Sequence, residues 1–225
     1  VVIYTKEKEI SYAGCGLPYY IGGAIENRES LVVNTPEKYS NLTGVEVKTE
    51  MEAVSVDKDH KTVSFKNGES VSYDKLVIAT GASPIKPHVD GVDKDGVFTL
   101  RSVDDAVAIR SYADTVKRAV VVGASIIGLE VAEKLQPNGL DVTVLDMASQ
   151  ILPGLFDPDM ALYAKKEIQK TGVKIILGAK LEEIYGGEKA EGVKTSVGNV
   201  NGDMVVLALG VKPNTDFLSS LGLEM

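Results

Sequence analysis

Residues 119–146 read AVVVGASIIGLEVAEKLQPNGLDVTVLD, and this stretch decides the fold. Residues 119–122 are apolar without alternation, which is typical of a strand buried on both faces of a parallel sheet. The glycine-rich residues 123–128 predict a tight turn that opens a helix, and the helical pattern continues to Leu135. Residues 141–146 follow as a second apolar strand. The stretch therefore predicts a β-α-β unit of a parallel sheet.

The turn has the pattern of a dinucleotide-binding site. Gly123 allows the sharp change from strand to helix, and Gly128 allows the helix to pack closely on the strand. Ser125 stands where a further glycine normally lets the backbone touch a pyrophosphate, and its hydroxyl can bond a phosphate oxygen. The pyrophosphate would lie on the helix N-terminus. The alternative is a strand–helix turn that binds no phosphate.

Asp146 ends the second strand and is placed to accept hydrogen bonds from a ribose 2′-hydroxyl. Its charge would repel a 2′-phosphate, and residues 147–150 contain no Arg or Lys that would hold one. This context favours dinucleotide binding over the phosphate-free alternative, and it favours NADH over NADPH.

A similar pattern occurs twice along the chain. Residues 75–80 and residues 204–209 are apolar runs that each lead into a glycine, and both are predicted to be buried strands. Small residues at the carboxyl end of such a strand permit close approach of a cofactor. An antiparallel β meander is predicted ahead of each run, within residues 53–73 and 181–197. We therefore predict an α/β protein with two related, Rossmann-like nucleotide-binding domains.

Cys15 is the only cysteine, so it cannot close an internal disulfide. Pro18 suits the first turn of a helix that continues to Ile21, and a sulfur just ahead of a helix N-terminus is favoured as thiolate. If Cys15 is a redox centre, its oxidised form is a sulfenic acid or a mixed disulfide with an outside thiol. The alternative is a buried structural cysteine.

Composition narrows the function classes. The chain has 225 residues, of which 44% are hydrophobic and 25% charged, as expected for a globular protein of one or two domains. A net charge of −8 argues against a nucleic-acid partner. No apolar run reaches membrane-spanning length, and we identify neither a signal peptide nor a cysteine pair, so we expect a cytoplasmic protein without a membrane partner. His60 and His88 are isolated, so we expect no metal site.

Five motifs together carry a family resemblance: SYAGCGLPYYIG (11–22), LVVNTPE (31–37), LVIATGAS (76–83), GASIIGLE (123–130) and GVKPNT (210–215). With them the chain resembles the pyridine nucleotide-disulfide oxidoreductase superfamily over essentially its whole length. Within that superfamily it is similar to the single-cysteine branch, which holds CoA-disulfide reductases, CoA-persulfide reductases and NADH oxidases.

The resemblance implies a domain order. An incomplete FAD-type domain would occupy residues 1–100, an inserted NAD-type domain residues 101–211, and the FAD-type domain would resume over residues 212–225. The chain begins at Val1 without an initiator Met. The resemblance implies a fragment that lacks the N-terminal FAD motif and the C-terminal dimerisation domain, from a full-length homodimer.

The resemblance also implies roles for individual residues. Cys15 would be the redox centre beside the flavin, and Ser11 would lie near the thiol substrate. The positions implied for FAD are Thr5, Lys6, Val54, Thr80 and Gly81. In the family a glutamate commonly stands where this chain has Thr5. The positions implied for NADH are Gly123, Ser125, Ile126, Gly128, Glu130, Asp146 and Gly210. In the family an aromatic residue often stands where this chain has Ile126.

The implied function is an FAD-dependent NADH oxidoreductase that reduces a CoA-type disulfide or persulfide through Cys15. One alternative is an NADH oxidase or peroxidase that acts on oxygen or peroxide through a Cys15 sulfenic acid, and another is a nucleotide-binding fragment without turnover. The motifs leave the substrate open. CoA-disulfide reductases usually carry Asn where Gly14 stands, and NADH oxidases usually carry Leu-Ser where this chain has Ala13-Gly14.

Overall fold

The computed structural model describes residues 1–222, which form two compact units. The small unit consists of Val1–Ala13, Val32–Ser83 and the segment from Lys212 onward. The large unit consists of Gly14–Leu31 and Pro84–Val211. These units are a division by spatial contact, and the domains anticipated at 1–100, 101–211 and 212–225 stay a prediction. Residues 223–225 of the last of these lie outside the described residues.

Within residues 1–222 the α-helices are α1 (Leu17–Ile21), α2 (Pro36–Thr43), α3 (Val103–Ala113), α4 (Ile126–Leu135) and α5 (Pro158–Lys170). Short 3-10 helices cover Gly14–Gly16, Arg28–Leu31, Gln136–Asn138 and Asp216–Leu221. The strands are β1 (Val2–Tyr4), β2 (Ser11–Tyr12), β3 (Val32–Asn34), β4 (Glu46–Lys48), β5 (Ala53–Asp57), β6 (Thr62–Phe65), β7 (Ser70–Ser72), β8 (Ala82–Pro84), β9 (Val97–Thr99), β10 (Arg118–Val122), β11 (Asp141–Asp146), β12 (Lys174–Leu177), β13 (Leu181–Tyr185), β14 (Gly192–Thr195), β15 (Gly198–Asn201), β16 (Met204–Leu207) and β17 (Val211–Pro213).

The large unit is built on a five-stranded parallel sheet in the order β12-β11-β10-β16-β9. Val120 and Val121 in the middle of β10 are fully buried, because β11 and β16 flank that strand and apolar side chains cover both faces. The predicted β-α-β unit is confirmed as β10, α4 and β11. The chain reverses its direction of travel across the sheet beside β10, and ligands of open α/β sheets bind at such a switch point.

The helices of the large unit begin where their capping residues direct. Ser102 and Asp105 form a capping box at the start of α3, with the Ser102 side chain accepting from the Asp105 N–H. Ser125 caps α4, whose Leu129, Val131, Ala132 and Leu135 are buried. The predicted meander at 181–197 is confirmed for its first two strands, β13 and β14, but its third strand, β15, lies beyond the predicted end at Gly198–Asn201. Ile184 and Val193 of the meander join the core beneath the parallel sheet.

The small unit holds a parallel pair, β1 with β4, and an antiparallel meander, β5-β6-β7. The meander confirms the prediction for residues 53–73. The ring of Tyr4 packs 4.8 Å from that of the buried Phe65, which ties β1 to the meander. The small unit therefore has a parallel pair where the large unit has a full parallel sheet, and the α/β prediction is confirmed.

One predicted strand is wrong. Residues 75–80 were expected to form a strand buried on both faces, yet residues 76–81 have no regular structure and Val77 is 87% exposed. None of the strands within residues 1–222 pairs with this run. A β-strand gains its hydrogen bonds and its burial from neighbours, so an apolar run without a partner strand stays irregular.

Candidate functional site

The glycine turn after β10 is tight enough to require glycine at two positions. Gly123 has φ = 113°, and a Cβ there would overlap the carbonyl oxygen of Ala208. A Cβ at Gly128 would overlap the carbonyl oxygen of Gly123, so α4 starts in direct contact with the turn. Packing alone explains both glycines, and their place in a cofactor site stays a prediction.

Ser125 occupies the position between the two glycines. Its Oγ accepts a hydrogen bond from the Gly128 N–H at 3.3 Å and donates to the Ala208 carbonyl at 3.1 Å. The hydroxyl therefore fixes the turn, and its single proton is directed at protein. The backbone N–H groups of the first turn of α4, at Ile126 and Ile127, have no acceptor within the helix. Both residues are about half exposed, so an anion has access to this helix end.

Asp146 holds the other side of the same turn. Its Oδ2 accepts from the Ala124 N–H at 2.7 Å, and its Oδ1 accepts from the Ala148 N–H at 2.8 Å. The carboxylate is thus fixed at the end of β11, beside the glycine turn. Each carboxylate oxygen has a further lone pair, so Asp146 retains the capacity to accept from a ligand hydroxyl.

A third contact was not anticipated from the sequence. The Leu152 N–H donates to the Ala124 carbonyl at 2.9 Å, and Leu152 has φ = 50°, in the left-handed region that a leucine rarely adopts. Together with Asp146 it binds both polar groups of Ala124. A left-handed leucine has no composition signal, so sequence patterns do not reveal it.

Cys15 lies in the 3-10 helix Gly14–Gly16, immediately before α1, and its side chain is exposed. The alternative of a buried structural cysteine is therefore wrong. Gly16, Leu17 and Pro18 directly after the thiol are buried, so the exposed sulfur stands on an anchored segment. That segment belongs to the large unit, which also carries the glycine turn.

The other predicted positions divide between the units. Glu130 is half-buried on α4, and the Gly210 carbonyl accepts from the Ile85 N–H at 3.0 Å. The large unit contains Cys15, Gly123, Ser125, Ile126, Gly128, Glu130, Asp146 and Gly210. The small unit contains Thr5, Lys6, Ser11, Val54, Thr80 and Gly81. The roles of all these residues stay predictions.

Within the small unit, Asn214 organises the segment that holds Thr80 and Gly81. Its backbone N–H donates to the Gly81 carbonyl at 2.9 Å, and its Nδ2 donates to the Thr80 carbonyl at 2.9 Å. The Thr80 hydroxyl donates to the Asn214 carbonyl at 2.7 Å, and Ser83 Oγ lies 2.8 Å from Asn214 Oδ1. These hydrogen bonds therefore join the motif at 76–83 to the motif at 210–215.

Two classes of site find no structural support in the part of the chain that the structure describes. No group of three or more His, Cys, Asp or Glu side chains in residues 1–222 has the geometry of a metal site. No helix among these residues combines the length and the apolar character that crossing a bilayer requires.

The fold and the site define an α/β protein with a Rossmann-type glycine turn and an exposed thiol in the same compact unit. The family model described as pyridine nucleotide-disulphide oxidoreductase matches residues 1–225. The chain belongs to this family, whose members are NAD(P)H-dependent flavin enzymes.

Known relatives agree with this assignment. An NADH oxidase of Methanocaldococcus jannaschii is 41% identical over 231 residues, covering 100% of this chain and 52% of the relative. A CoA-dependent NAD(P)H sulfur oxidoreductase of Pyrococcus abyssi is 36% identical over 228 residues, covering 100% of this chain and 51% of the relative. The structure of an NAD-dependent persulfide reductase from A. fulgidus matches with a TM-score of 0.95 and 32% identity, covering 100% of this chain and 44% of that one. The chain spans about half the length of the curated relatives it matches.

One further structure bears on the glycine turn. It is an NADPH-bound, engineered NADPH oxidase made from the water-forming NADH oxidase of Lactobacillus brevis, with a TM-score of 0.92, 30% identity and coverage of 98% of this chain and 50% of that one. Two of its five substitutions replace a glycine and an aspartate by alanine, at the separation of Gly128 and Asp146. Two others follow the aspartate directly, and the fifth replaces a proline at the separation of Pro153 from Asp146.

Proposed function

We propose that this chain is part of an FAD-dependent NADH oxidoreductase that reduces a CoA-type disulfide or persulfide through Cys15. The observation that carries the proposal is the exposed thiol of Cys15, on an anchored segment of the unit that also holds the glycine turn. The similarity to a CoA-dependent sulfur oxidoreductase and to a persulfide reductase supports the choice of a sulfur substrate.

The residues present fit NADH. The first turn of α4 offers its N–H groups to a pyrophosphate, and the fixed Asp146 carboxylate offers acceptors to ribose hydroxyls. A 2′-phosphate would meet the negative charge of Asp146 instead. In the engineered relative that binds NADPH, the aspartate at the corresponding separation is replaced by alanine, which supports NADH as the cofactor here.

The fit to FAD is partial. Thr80, Gly81 and Val54 would contribute to its site in the whole protein, and Thr80 and Gly81 are held in place by Asn214. The glycine turn at 123–128 is the one turn of this pattern in the 225 residues, and it lies in the large unit. We therefore expect the 225-residue chain alone to bind FAD weakly or not at all.

The chemistry assigned to Cys15 is thiol–disulfide exchange. Its thiolate attacks one sulfur of the substrate R–S–S–R, a bond forms between Sγ and that sulfur, and R–S⁻ leaves. Two electrons and one proton then convert the Cys15–S–S–R mixed disulfide to thiolate and R–SH. When bound, NADH and FAD supply these electrons. Ser11 is proposed to contact the thiol substrate.

A second candidate function is an NADH oxidase or peroxidase, in which peroxide, either supplied or formed from oxygen with two electrons of NADH, transfers one oxygen to the Cys15 thiolate to give a sulfenic acid and hydroxide. The 41% identity to an NADH oxidase favours it. A third possibility is a nucleotide-binding fragment without turnover, which the flavin absorbance of the purified 225-residue chain tests directly. We also propose that the full-length enzyme is a cytoplasmic homodimer.

Turnover of the full-length enzyme with NADH separates the candidates. CoA disulfide, CoA persulfide, polysulfide and oxygen are supplied as alternative oxidants. Intact-mass spectrometry of the unreduced enzyme gives an independent readout, because a CoA-sized adduct on Cys15 supports the first proposal and a single added oxygen supports the second. Turnover with oxygen alone, without any sulfur substrate being reduced, would overturn the first proposal.

A further inference from the structure

The segment Gly14–Leu31, which carries Cys15, packs on two helices of the large unit. α1 buries Leu17, Tyr20 and Ile21 against α3 and α4. α1 has five residues, and an isolated helix of that length is not stable in water. The position of α1 therefore depends on contacts with other elements of the large unit. The same holds for the Cys15 thiol, two residues before α1.

Arg110 on α3 makes three contacts with this segment. Its guanidinium carbon lies 4.6 Å from the centroid of the Tyr20 ring. Its Nη1 donates to the Ile25 carbonyl at 3.2 Å and to the Glu26 carbonyl at 3.0 Å. One half-buried side chain thus binds both α1 and the turn that follows it. A lysine would keep the positive charge, but its one nitrogen would have to serve both the Tyr20 ring and the two carbonyls that the Arg110 Nη1 bonds.

α4 and the 3-10 helix after it also hold the segment. Lys134 Nζ lies 4.8 Å from the centroid of the Tyr19 ring, and Asn138 Nδ2 donates to the Ile21 carbonyl at 3.3 Å. A Cβ at Gly22 would lie 2.9 Å from the Cβ of Lys134, so glycine lets the end of α1 approach α4 closely. The contacts from α3, from α4 and from the 3-10 helix after α4 together restrict the position of α1.

We propose that Arg110 is a positioning residue for Cys15. It acts through the backbone of residues 25 and 26 and through the ring of Tyr20, and so holds the thiol in one geometry. The inference rests on the proposed function only in taking Cys15 as the redox thiol. Arg110 lies outside the glycine turn and outside the Asp146 site, so its loss leaves the dinucleotide-binding residues in place.

The test uses the full-length enzyme with Arg110→Met, Arg110→Lys and the control Asp104→Asn. Asp104 lies on the same helix and pairs with Arg28 of the same segment at 3.0 Å, but the pair is exposed, so its loss is expected to matter little. Hydrogen exchange is followed at Gly22, Gly23 and Ile25, whose N–H groups donate to carbonyls of α1. The rate of flavin reduction by NADH and the rate of disulfide turnover are measured beside it.

We expect Arg110→Met to speed exchange at these three amides about tenfold or more, since two hydrogen bonds from a charged donor are lost. Disulfide turnover falls by a similar factor through kcat, while flavin reduction by NADH stays within about twofold of wild type. Arg110→Lys recovers part of both losses, and Asp104→Asn behaves like wild type.

Unchanged amide protection in Arg110→Met would overturn the proposal, and so would an equal loss in the NADH step, which would indicate general destabilisation. If Arg110→Met does not fold, Arg110→Lys decides: faster exchange at the three amides with flavin reduction unchanged supports the proposal, and exchange at the wild-type rate overturns it. An enzyme that reduces no disulfide would refute the proposed function, while the exchange measurement would still decide whether Arg110 holds the segment.

Discussion

Replacement of Asp146 by alanine is expected to reduce the preference of the full-length enzyme for NADH over NADPH. The Asp146 carboxylate accepts from the Ala124 N–H at 2.7 Å and from the Ala148 N–H at 2.8 Å, so it is fixed before any cofactor binds. A hydrogen bond to a charged group contributes about 1.5–3 kcal/mol. Loss of one ribose bond of this kind corresponds to a roughly 10- to 150-fold decrease in kcat/KM for NADH.

The assay is kcat/KM with each cofactor, measured for wild type, Asp146→Ala and Asp146→Asn. The asparagine variant is the matched control, because its side-chain oxygen still accepts one hydrogen bond while the negative charge is gone. If charge repulsion excludes NADPH, both variants accept it better. If ribose bonding sets the preference, the alanine variant loses more NADH efficiency than the asparagine variant.

The same substitution also removes two acceptors from backbone donors of the turn. An unsatisfied, partly buried N–H costs about 1–3 kcal/mol, so the alanine variant is expected to have a lower Tm than wild type. Kinetics are therefore compared well below the lowered Tm. Equal kcat/KM for NADH and NADPH in the wild type, or an unchanged ratio in Asp146→Ala, would refute the reasoning.

Three further outcomes are expected. In the full-length enzyme, Cys15→Ser still bleaches flavin with NADH, but disulfide turnover is lost because the thiolate that attacks the substrate sulfur is gone; undiminished turnover would remove Cys15 from the mechanism. Gly128→Ala destabilises the 225-residue chain by about 1–3 kcal/mol, since the Gly123 carbonyl oxygen has to move away from the new Cβ, and a thermal melt unchanged from wild type would contradict the geometry. A hydrogen bond from Arg118 and the charge of Arg118 lower the pKa of Asp203 below its usual value of 3.8. The ionised Asp203 side chain therefore stabilises the folded state above about pH 4, and this stabilisation is lost as the pH falls through the lowered pKa. Acid denaturation of Asp203→Asn should accordingly show less loss of stability below about pH 4 than wild type, and parallel curves would exclude this contribution.

The parallel sheet of the large unit was predictable because several independent signals fall within one short stretch. The apolar run of β10, the two glycines of the turn and the acidic end of β11 each have a separate physical cause, and all point to the same β-α-β unit. Buried strands and glycine turns are local in sequence. Both features can therefore be recognised from the amino-acid sequence alone.

The side chains that hold the site were not predictable in the same way. Arg110 binds carbonyls 84 and 85 residues earlier in the chain, and Leu152 binds the Ala124 carbonyl from a left-handed conformation. Neither residue stands in a motif, because an arginine on a helix and a leucine in a loop fit many local roles. Their function in the fold is a consequence of packing between distant segments, which periodicity does not encode.

The irregular run at Leu76–Ala79 shows why composition alone does not make a strand. Its sequence LVIA is close in character to the AVVV of β10, yet Val77 is 87% exposed while Val120 is fully buried. β10 has β11 and β16 hydrogen-bonded along its two edges, whereas no described strand pairs with residues 76–79. Pairing satisfies the backbone N–H and C=O groups, and only then is burial of the apolar side chains favourable. The two runs therefore differ in their neighbouring strands rather than in their own residues. The apolar pattern of 75–80 favours burial, but no strand within residues 1–222 pairs with this run and covers it.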